Sequence, residues 1–145
     1  MTILDKIIQH KKQEIADKAL KKPVNKLEKS KYFNRNTLAL TDALLDNEKT
    51  GIIAEFKRKS PSKGILNNEA TVEEVITGYF RGGASALSIL TDSAFFGGSV
   101  QDLLRARELA SIPILRKDFI IDPWQIYESR AAGADAILLI AEALV

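Results

Sequence analysis

The sequence contains no cysteine and a single histidine, and both shortages narrow its chemistry. Without thiols, disulfide bonds and thiolate metal sites are excluded. The one histidine, His10, lies in a lysine-rich stretch and has no second ligand at metal-binding spacing. We therefore interpret His10 as part of a solvated helix face and not as a metal ligand.

Long apolar runs and a strong charge bias are also missing. No uninterrupted run approaches the roughly 20 residues that a membrane-spanning helix needs. The net charge is only +2. The composition therefore does not indicate nucleic-acid binding, which needs basic residues concentrated on one face. The N-terminus alternates apolar and basic residues as a transit peptide does, but Asp5, Glu14 and Asp17 argue against one. We expect a cytoplasmic protein that binds neither membranes nor nucleic acid.

Helical patterns come first along the chain. Apolar residues recur at roughly helical spacing after Thr2, which is placed to cap the helix, and Pro23 lies just past its end. A polar gap at Lys11 and Lys12 interrupts this apolar face. A second, shorter helical pattern covers residues 36–45.

After residue 50, short apolar runs alternate with helical patterns. The strand candidates are residues 52–57, 86–91, 113–117 and 136–140, and the helical patterns are residues 71–80, 99–110 and a segment beginning at Asp122-Pro123. This alternation is typical of repeated parallel βαβ units. Nearly continuous apolar strands are typical of a parallel sheet covered on both faces. The predicted fold class is α/β, with residues 1–50 as an N-terminal helical extension and residues 51–145 as the α/β part.

Charged residues stand where the first and third predicted strands end. Glu55 and Lys57 are two positions apart, so their side chains point to the same side of a strand. Lys117 ends the third strand, and alternate strands of an eight-stranded barrel contribute to the same interior layer. Two lysines and a carboxylate in one cavity form an acid–base set. The alternative is that each charge solvates the rim of the sheet.

The loops after the first three strands add two further candidate features. Residues 58–64 (RKSPSKG) supply hydroxyls, including that of Ser60, beside three basic residues. Such a loop suits an anion such as phosphate, although the composition is also ordinary for a loop. Phe95, Phe96 and Phe119 follow strand ends and are candidates either for the wall of an aromatic substrate site or for packing.

Four motifs carry a family resemblance. IIAEFKRKSPSKG, LSILTDSAFFGGS, PILRKDFIID and GADAILLI resemble the indole-3-glycerol phosphate synthase family in order and spacing, over essentially the whole chain. The resemblance implies a (β/α)8 TIM barrel, of which residues 51–145 hold the first four βα units. It also implies a carboxy-lyase of tryptophan biosynthesis that acts on 1-(2-carboxyphenylamino)-1-deoxyribulose 5-phosphate. Ring closure there releases carbon dioxide and water and needs no metal or organic cofactor.

The resemblance also implies roles for individual residues. Lys117 matches the general acid that protonates the ribulose carbonyl as the aromatic carbon attacks. Lys57 matches the lysine that engages the substrate carboxylate and acts as an acid in dehydration, and Glu55 matches the glutamate that organises both lysines and the substrate hydroxyls. Ser60 matches a residue on the phosphate side. Phe96, Phe119 and Leu138 match apolar positions around the anthranilate ring.

The chain is shorter than a full barrel, which takes roughly 250 residues. The resemblance implies a second catalytic glutamate and the main phosphate loops in the other half. We therefore expect an inactive fragment of a monomeric enzyme, with open sheet edges that favour self-association. One alternative is a non-catalytic, self-associating half-barrel that at most binds phosphate. Another is a different phosphate-binding barrel, such as the isomerase one step earlier, which should lack both the helical extension and the Glu-x-Lys strand end.

Overall fold

The computed structural model describes residues 1–144. Its helices are α1 (Ile3–Lys21), α2 (Val24–Leu27), α3 (Leu40–Leu45), α4 (Val72–Arg81), α5 (Ser93–Phe96), α6 (Val100–Leu109) and α7 (Pro123–Ala131), followed by a 3-10 turn at Ala141–Ala143. Its strands are β1 (Ile53–Phe56), β2 (Lys59–Ser60), β3 (Gly64–Ile65), β4 (Ala86–Leu90), β5 (Ile114–Lys117) and β6 (Ala136–Ile137).

Four strands form one parallel sheet in the order β1-β4-β5-β6, and β2 and β3 form a separate antiparallel pair. Helices α4, α6 and α7 lie between successive strands of the parallel sheet along the chain. The predicted α/β class is confirmed. Within residues 1–144 the sheet is open and does not close into a barrel.

The hydrophobic core lies between the sheet and its helices. Leu87, Ile89 and Ile114 are fully buried there against Ile76 of α4 and Leu103 of α6. Burial of each such side chain contributes about 1.5–3 kcal/mol. Because neighbouring residues of a strand point to opposite faces, the residues that alternate with this core lie on the other face of the sheet.

The helix boundaries follow the capping signals of the sequence. Thr2 caps α1 and Thr71 caps α4, each in a reciprocal capping box, and Asp122 caps α7, which has Pro123 in its first turn. In each case a side-chain oxygen accepts from a backbone N–H that has no partner inside the helix. The predicted beginnings of these three helices are confirmed.

The second predicted helix is shorter than expected. Helix α3 begins at Leu40, whereas the pattern predicted helix over residues 36–45. The backbone N–H of Leu38 donates to Asp135 Oδ1 at 2.8 Å, and Ala39 is extended. A tertiary hydrogen bond therefore holds this segment out of the helix.

The fourth predicted strand is also shorter, since β6 covers only two of residues 136–140. Its ladder with β5 ends at the pair Arg116–Ile137, and β5 is its only sheet neighbour among residues 1–144. Leu139 is exposed. Apolar character predicted a longer strand, but a strand extends only as far as its backbone finds a partner.

Helix α1 packs its apolar side against α7. Ile15 contributes to a small apolar cluster with Leu27, Trp124 and Ala131, and the indole N–H of Trp124 donates to the carbonyl of Lys22 at 2.8 Å. Of the two lysines that interrupt the apolar face in the sequence, Lys11 is only 1% exposed, whereas Lys12 is exposed. Among residues 1–144, no helix combines the length and apolar character needed to cross a membrane.

Candidate active site

Glu55 is the centre of a polar cluster at the carboxyl ends of the strands. Its Oε2 atom lies 3.2 Å from Lys117 Nζ, and its Oε1 atom lies 3.8 Å from Lys57 Nζ. The hydroxyl of Ser88 also donates to Oε2, at 2.8 Å. The structure thus brings together the three charged residues that the sequence predicted to share a cavity.

The register of the sheet explains this convergence. Glu55 pairs with Ser88 across β1 and β4, and Lys117 pairs with Leu90 across β4 and β5. Residues in register across parallel strands lie on the same face, and so do residues two apart, such as Ser88 and Leu90. Glu55, Ser88 and Lys117 therefore project from three adjacent strands on the face opposite the helix-side core.

The cluster is partly open and carries an excess of positive charge. The side chains of Glu55, Lys57 and Lys117 are 31%, 35% and 39% exposed. One carboxylate and two ammonium groups leave a net charge of +1, which favours an anionic ligand. Because the groups are neither bulk-exposed nor sealed, a ligand can reach them and displace water around them.

Two of the predicted aromatic residues lie close to each other. Phe96, at the end of α5, and Phe119, two residues after Lys117, have ring centroids 6.0 Å apart and an interplanar angle of 38°. That separation is typical of contacting aromatic pairs. Phe95 packs elsewhere, edge to face with His10 at 5.7 Å. The structure therefore separates the neighbouring candidates Phe95 and Phe96. His10 is exposed as predicted, although its ring contacts Phe95.

The predicted anion loop is partly a hairpin. Ser60 in β2 is buried, its Oγ atom accepts from the backbone N–H of Lys63 at 3.2 Å, and it lies 3.3 Å from Ser62 Oγ. Arg58 pairs with Asp102, so one of the three basic residues of this loop already has an anionic partner. Lys63 is exposed. The loop retains hydroxyls and free positive charge, but fewer cations than its composition suggested.

The last predicted site residue, Leu138, directly follows β6 and is partly buried. The larger of the two described cavities, about 880 Å³, lies on the helix side of the fold. Lys18, Leu27, Leu104 and Trp124 are among its lining residues, and Glu55, Lys57 and Lys117 are not. The candidate site is an open surface on residues 1–144 and not an enclosed cavity.

Sequence reasoning missed two features next to the site. One is Ser88, whose signal was a hydroxyl inside the apolar run ALSIL. The other is Lys11, whose Nζ atom lies 2.7 Å from Asp92 Oδ1, 3.0 Å from Asp118 Oδ1 and 2.8 Å from Glu14 Oε2. Asp118 directly follows β5 and Asp92 is the second residue after β4, and this position near a strand end was the available signal for both.

The charges of this buried cluster stabilise one another. Burial alone would lower the pKa of Lys11, but Asp118, Asp92 and Glu14 raise it above its usual range. Burial alone would raise the pKa of Asp118, but Lys11, Arg116 and a hydrogen bond from Thr91 lower it. Lys11 and Asp118 are therefore both charged at neutral pH. Within residues 1–144, no group of three or more histidine, aspartate or glutamate side chains is arranged to hold a metal ion.

Comparison with known proteins places this geometry in context. A family model described as indole-3-glycerol phosphate synthase matches residues 4–145. The protein of that name from Bacteroides thetaiotaomicron is 49% identical over 98% of this chain and 54% of its own length. Those from Polaromonas naphthalenivorans and Aromatoleum aromaticum are 45% and 43% identical, again over 98% of this chain and 55% of their lengths. The chain spans about half the length of the curated relatives it matches.

Proposed function

The chain belongs to the indole-3-glycerol phosphate synthase family, and from this premise we propose that it carries half of the active site of such a synthase. The proposed reaction closes the pyrrole ring of 1-(2-carboxyphenylamino)-1-deoxyribulose 5-phosphate, with loss of carbon dioxide and water. The observation that carries the proposal is the convergence of Lys57 and Lys117 on Glu55. This is an acid–base set at the strand ends, where parallel α/β folds concentrate their chemistry.

Lys117 is the proposed general acid of ring closure. When the aromatic carbon attacks the ribulose carbonyl, negative charge develops on the carbonyl oxygen, and an ammonium group can neutralise it by giving up a proton. The ion pair with Glu55 at 3.2 Å fixes the direction of this ammonium group before the substrate binds. The ring then regains its aromatic system by losing the carboxylate as carbon dioxide.

Glu55 and Lys57 have complementary proposed roles. Lys57 engages the substrate carboxylate through its positive charge, and serves as an acid when the hydroxyl leaves as water. Glu55 orients both lysines and accepts hydrogen bonds from substrate hydroxyls. Ser88 supports this role, because its hydroxyl occupies one acceptor position of Oε2 and restricts the rotation of the carboxylate.

The remaining site residues are proposed to bind the two ends of the substrate. Phe96 and Phe119, whose rings are in contact, form the wall for the anthranilate ring, and the partly buried Leu138 completes it. Ser60 is assigned to the phosphate side, on a hairpin that also offers the exposed ammonium group of Lys63. We assign no metal or organic cofactor to this chemistry.

We further propose that residues 51–145 are the first four βα units of a TIM barrel and that residues 1–50 are a helical extension. The strand order β1-β4-β5-β6 follows the chain and all pairings are parallel, as in a barrel wall. The polar cluster would then point into the barrel mouth. The cytoplasmic location expected from the sequence stays a prediction, which cell fractionation would test.

Turnover of the anilino-deoxyribulose phosphate tests the proposed function. The assay compares the 145-residue chain with a chimera in which the second half of the Bacteroides thetaiotaomicron relative follows Val145. We expect formation of indole-3-glycerol phosphate by the chimera and negligible turnover by the chain alone, since it spans 54% of that relative. An inactive but folded chimera would contradict the assignment of the site, and full activity of the chain alone would contradict the half-site.

Self-association is the second candidate property, favoured by the open sheet. Strands β1 and β6 each have one sheet neighbour among residues 1–144, and Ile53 of β1 is 40% exposed. Such edges and apolar faces promote pairing with a second copy. Sedimentation of the 145-residue chain with and without inorganic phosphate distinguishes the candidates. A monomer at all concentrations that binds no phosphate would exclude the self-associating, phosphate-binding half-barrel.

A further inference from the structure

Lys11 has the most deeply buried positively charged side chain among residues 1–144, and the proposed chemistry gives it no role. It belongs to α1, in the helical extension, and is 1% exposed. Its Nζ atom lies between Asp92, the second residue after β4, and Asp118, the first residue after β5. One ammonium group therefore joins the ends of two neighbouring strands to a helix from outside the sheet.

Each aspartate connects Lys11 to the backbone of the segment that follows it. Asp118 Oδ1, 3.0 Å from Lys11 Nζ, also accepts from the backbone N–H of Phe119 at 2.7 Å. Asp92 Oδ1 lies 2.7 Å from the same Nζ, and its Oδ2 atom accepts from the backbone N–H of Phe95 at 2.8 Å. The ammonium group thus fixes the two carboxylates that set the direction of both segments.

These two segments carry the aromatic wall and the proposed acid. Phe96 is the next residue after Phe95 and contacts Phe119, while Lys117 directly precedes Asp118. A rotation of either aspartate would move one ring relative to the other, and a rotation of Asp118 would also turn the strand end that bears Lys117. Arg116 pairs with the other carboxylate oxygen of Asp118, Oδ2, at 3.3 Å.

We propose that Lys11 is a positioning residue, which sets the spacing of Phe96 and Phe119 and the direction of Lys117 by bridging Asp92 and Asp118. The expected effect on turnover rests on the proposed function, whereas the expected effect on the spacing of the two rings rests on geometry alone. Lys11 does not touch the reacting atoms. It acts through two carboxylates that it holds in one place, and a displacement of about 1 Å is enough to slow an oriented reaction by about 100-fold.

The first test measures the geometry directly in the 145-residue chain. Lys11→Met removes the ammonium group while keeping much of the side-chain length, and Lys12→Met is the matched control, since Lys12 is its exposed neighbour on the same helix. Nuclear Overhauser contacts between the rings of Phe96 and Phe119 report their spacing. We expect these contacts to be lost in Lys11→Met and kept in Lys12→Met, with the methyl signals of the core residue Ile89 unchanged in both.

A second variant covers the case in which Lys11→Met does not fold, because it leaves Asp92 buried without its cation. Lys11→Met combined with Asp92→Asn removes one buried charge of each sign, and the asparagine oxygen can still cap α5. The same loss of ring contacts is expected in this double variant. Ring contacts that persist in a folded variant without Lys11 would overturn the proposal.

The third measurement is steady-state turnover in the chimera with the Bacteroides thetaiotaomicron second half. We expect kcat to fall about 10- to 100-fold in the variants without Lys11 and KM to change much less, because the groups that bind the substrate charges are still present. Lys12→Met should match the unmodified chimera. A loss of stability with unchanged kcat would show a merely structural role and overturn the proposal.

The two hypotheses fail in different ways. If the unmodified, folded chimera has no turnover, the proposed function fails, and the ring contacts alone then decide the role of Lys11. If the chimera is active and its kcat does not depend on Lys11, the function stands and the positioning role is rejected.

Discussion

Lys117 Nζ lies 3.2 Å from Glu55 Oε2, although 62 positions separate the two residues and their strands are not neighbours. Strand β4 lies between them, and its Ser88 hydroxyl donates to the same carboxylate oxygen. The contact therefore depends on three strands in correct register. It is the most direct link between the parallel sheet and the proposed chemistry.

Loss of the Glu55 charge should abolish most activity without unfolding the protein. Glu55→Gln keeps the shape and can still accept from Ser88, but it no longer holds two ammonium groups. We expect kcat/KM of the chimera to fall by about 100-fold or more. The matched control is Glu69→Gln, an exposed position in the loop before α4. Near-normal turnover by the Glu55 variant would refute the role of this carboxylate.

Acid should destabilise the fold through Asp118. Burial by itself raises the pKa of Asp118. The charges of Lys11 and Arg116 and the hydrogen bond from Thr91 together have the larger effect, and they lower this pKa below the ordinary value of about 3.9. The stabilisation is therefore present above about pH 4 and is lost as the pH falls through the lower folded-state value. Lys11 has a raised pKa, so its own contribution is lost only in strongly basic solution.

This linkage is measurable as the pH dependence of urea unfolding between about pH 7 and about pH 3. Asp118→Asn should be less stable at neutral pH and should lose less stability than the unmodified chain on acidification. Asp42→Asn, at an exposed carboxylate of α3, should lose as much stability on acidification as the unmodified chain. An equal loss of stability on acidification in the Asp118 variant and the unmodified chain would contradict the prediction.

The buried guanidinium of Arg107 should contribute strongly to stability. It donates to the carbonyls of Ala110 and Ile112 at 2.8 and 2.7 Å and pairs with Asp135 at 2.5 Å. Arg107→Met leaves the two carbonyls without this donor, whereas Asp135 keeps Arg35 as a cationic partner at 2.8 Å. The substitution should therefore lower the free energy of unfolding by about 1–3 kcal/mol. The control Arg105→Met removes two exposed ion pairs, with Glu73 and Glu108, and should cost less. Equal urea midpoints of the two variants would refute this ranking.

Two glycines should respond in opposite directions to the same substitution. A methyl group at Gly98 would overlap the carbonyl oxygen of Leu90, so Gly98→Ala should destabilise the fold by about 1–3 kcal/mol. At Gly78, inside α4, the same methyl would meet nothing within 4 Å. Gly78→Ala should stabilise the helix by about 0.5–1 kcal/mol. Thermal unfolding of both variants decides, and a stabilised Gly98→Ala would show that the segment after α5 can move away from β4.

Local features were the ones that could be predicted from the sequence. Thr2, Thr71 and Asp122 mark helix starts because a cap depends on backbone groups only a few residues away. The strand candidates were recognisable because buried parallel strands are apolar throughout. Glu55 and Lys117 were recognised because each stands at a strand end, and strand order follows the chain. The length of the second helix was not predictable, since Asp135 captures the backbone of Leu38 from far along the chain.

The amino-acid sequence by itself determined the α/β class, the helix caps and the charged residues at the strand ends, because each depends on periodicity or on neighbours along the chain. Only the tertiary structure decided which charges are buried. Lys11 looked like one more solvated lysine of an amphipathic helix, and its burial depends on Asp92 and Asp118, which approach it only after the sheet has formed. A pattern records the polarity of a side chain, whereas its environment is set by partners that are distant in sequence.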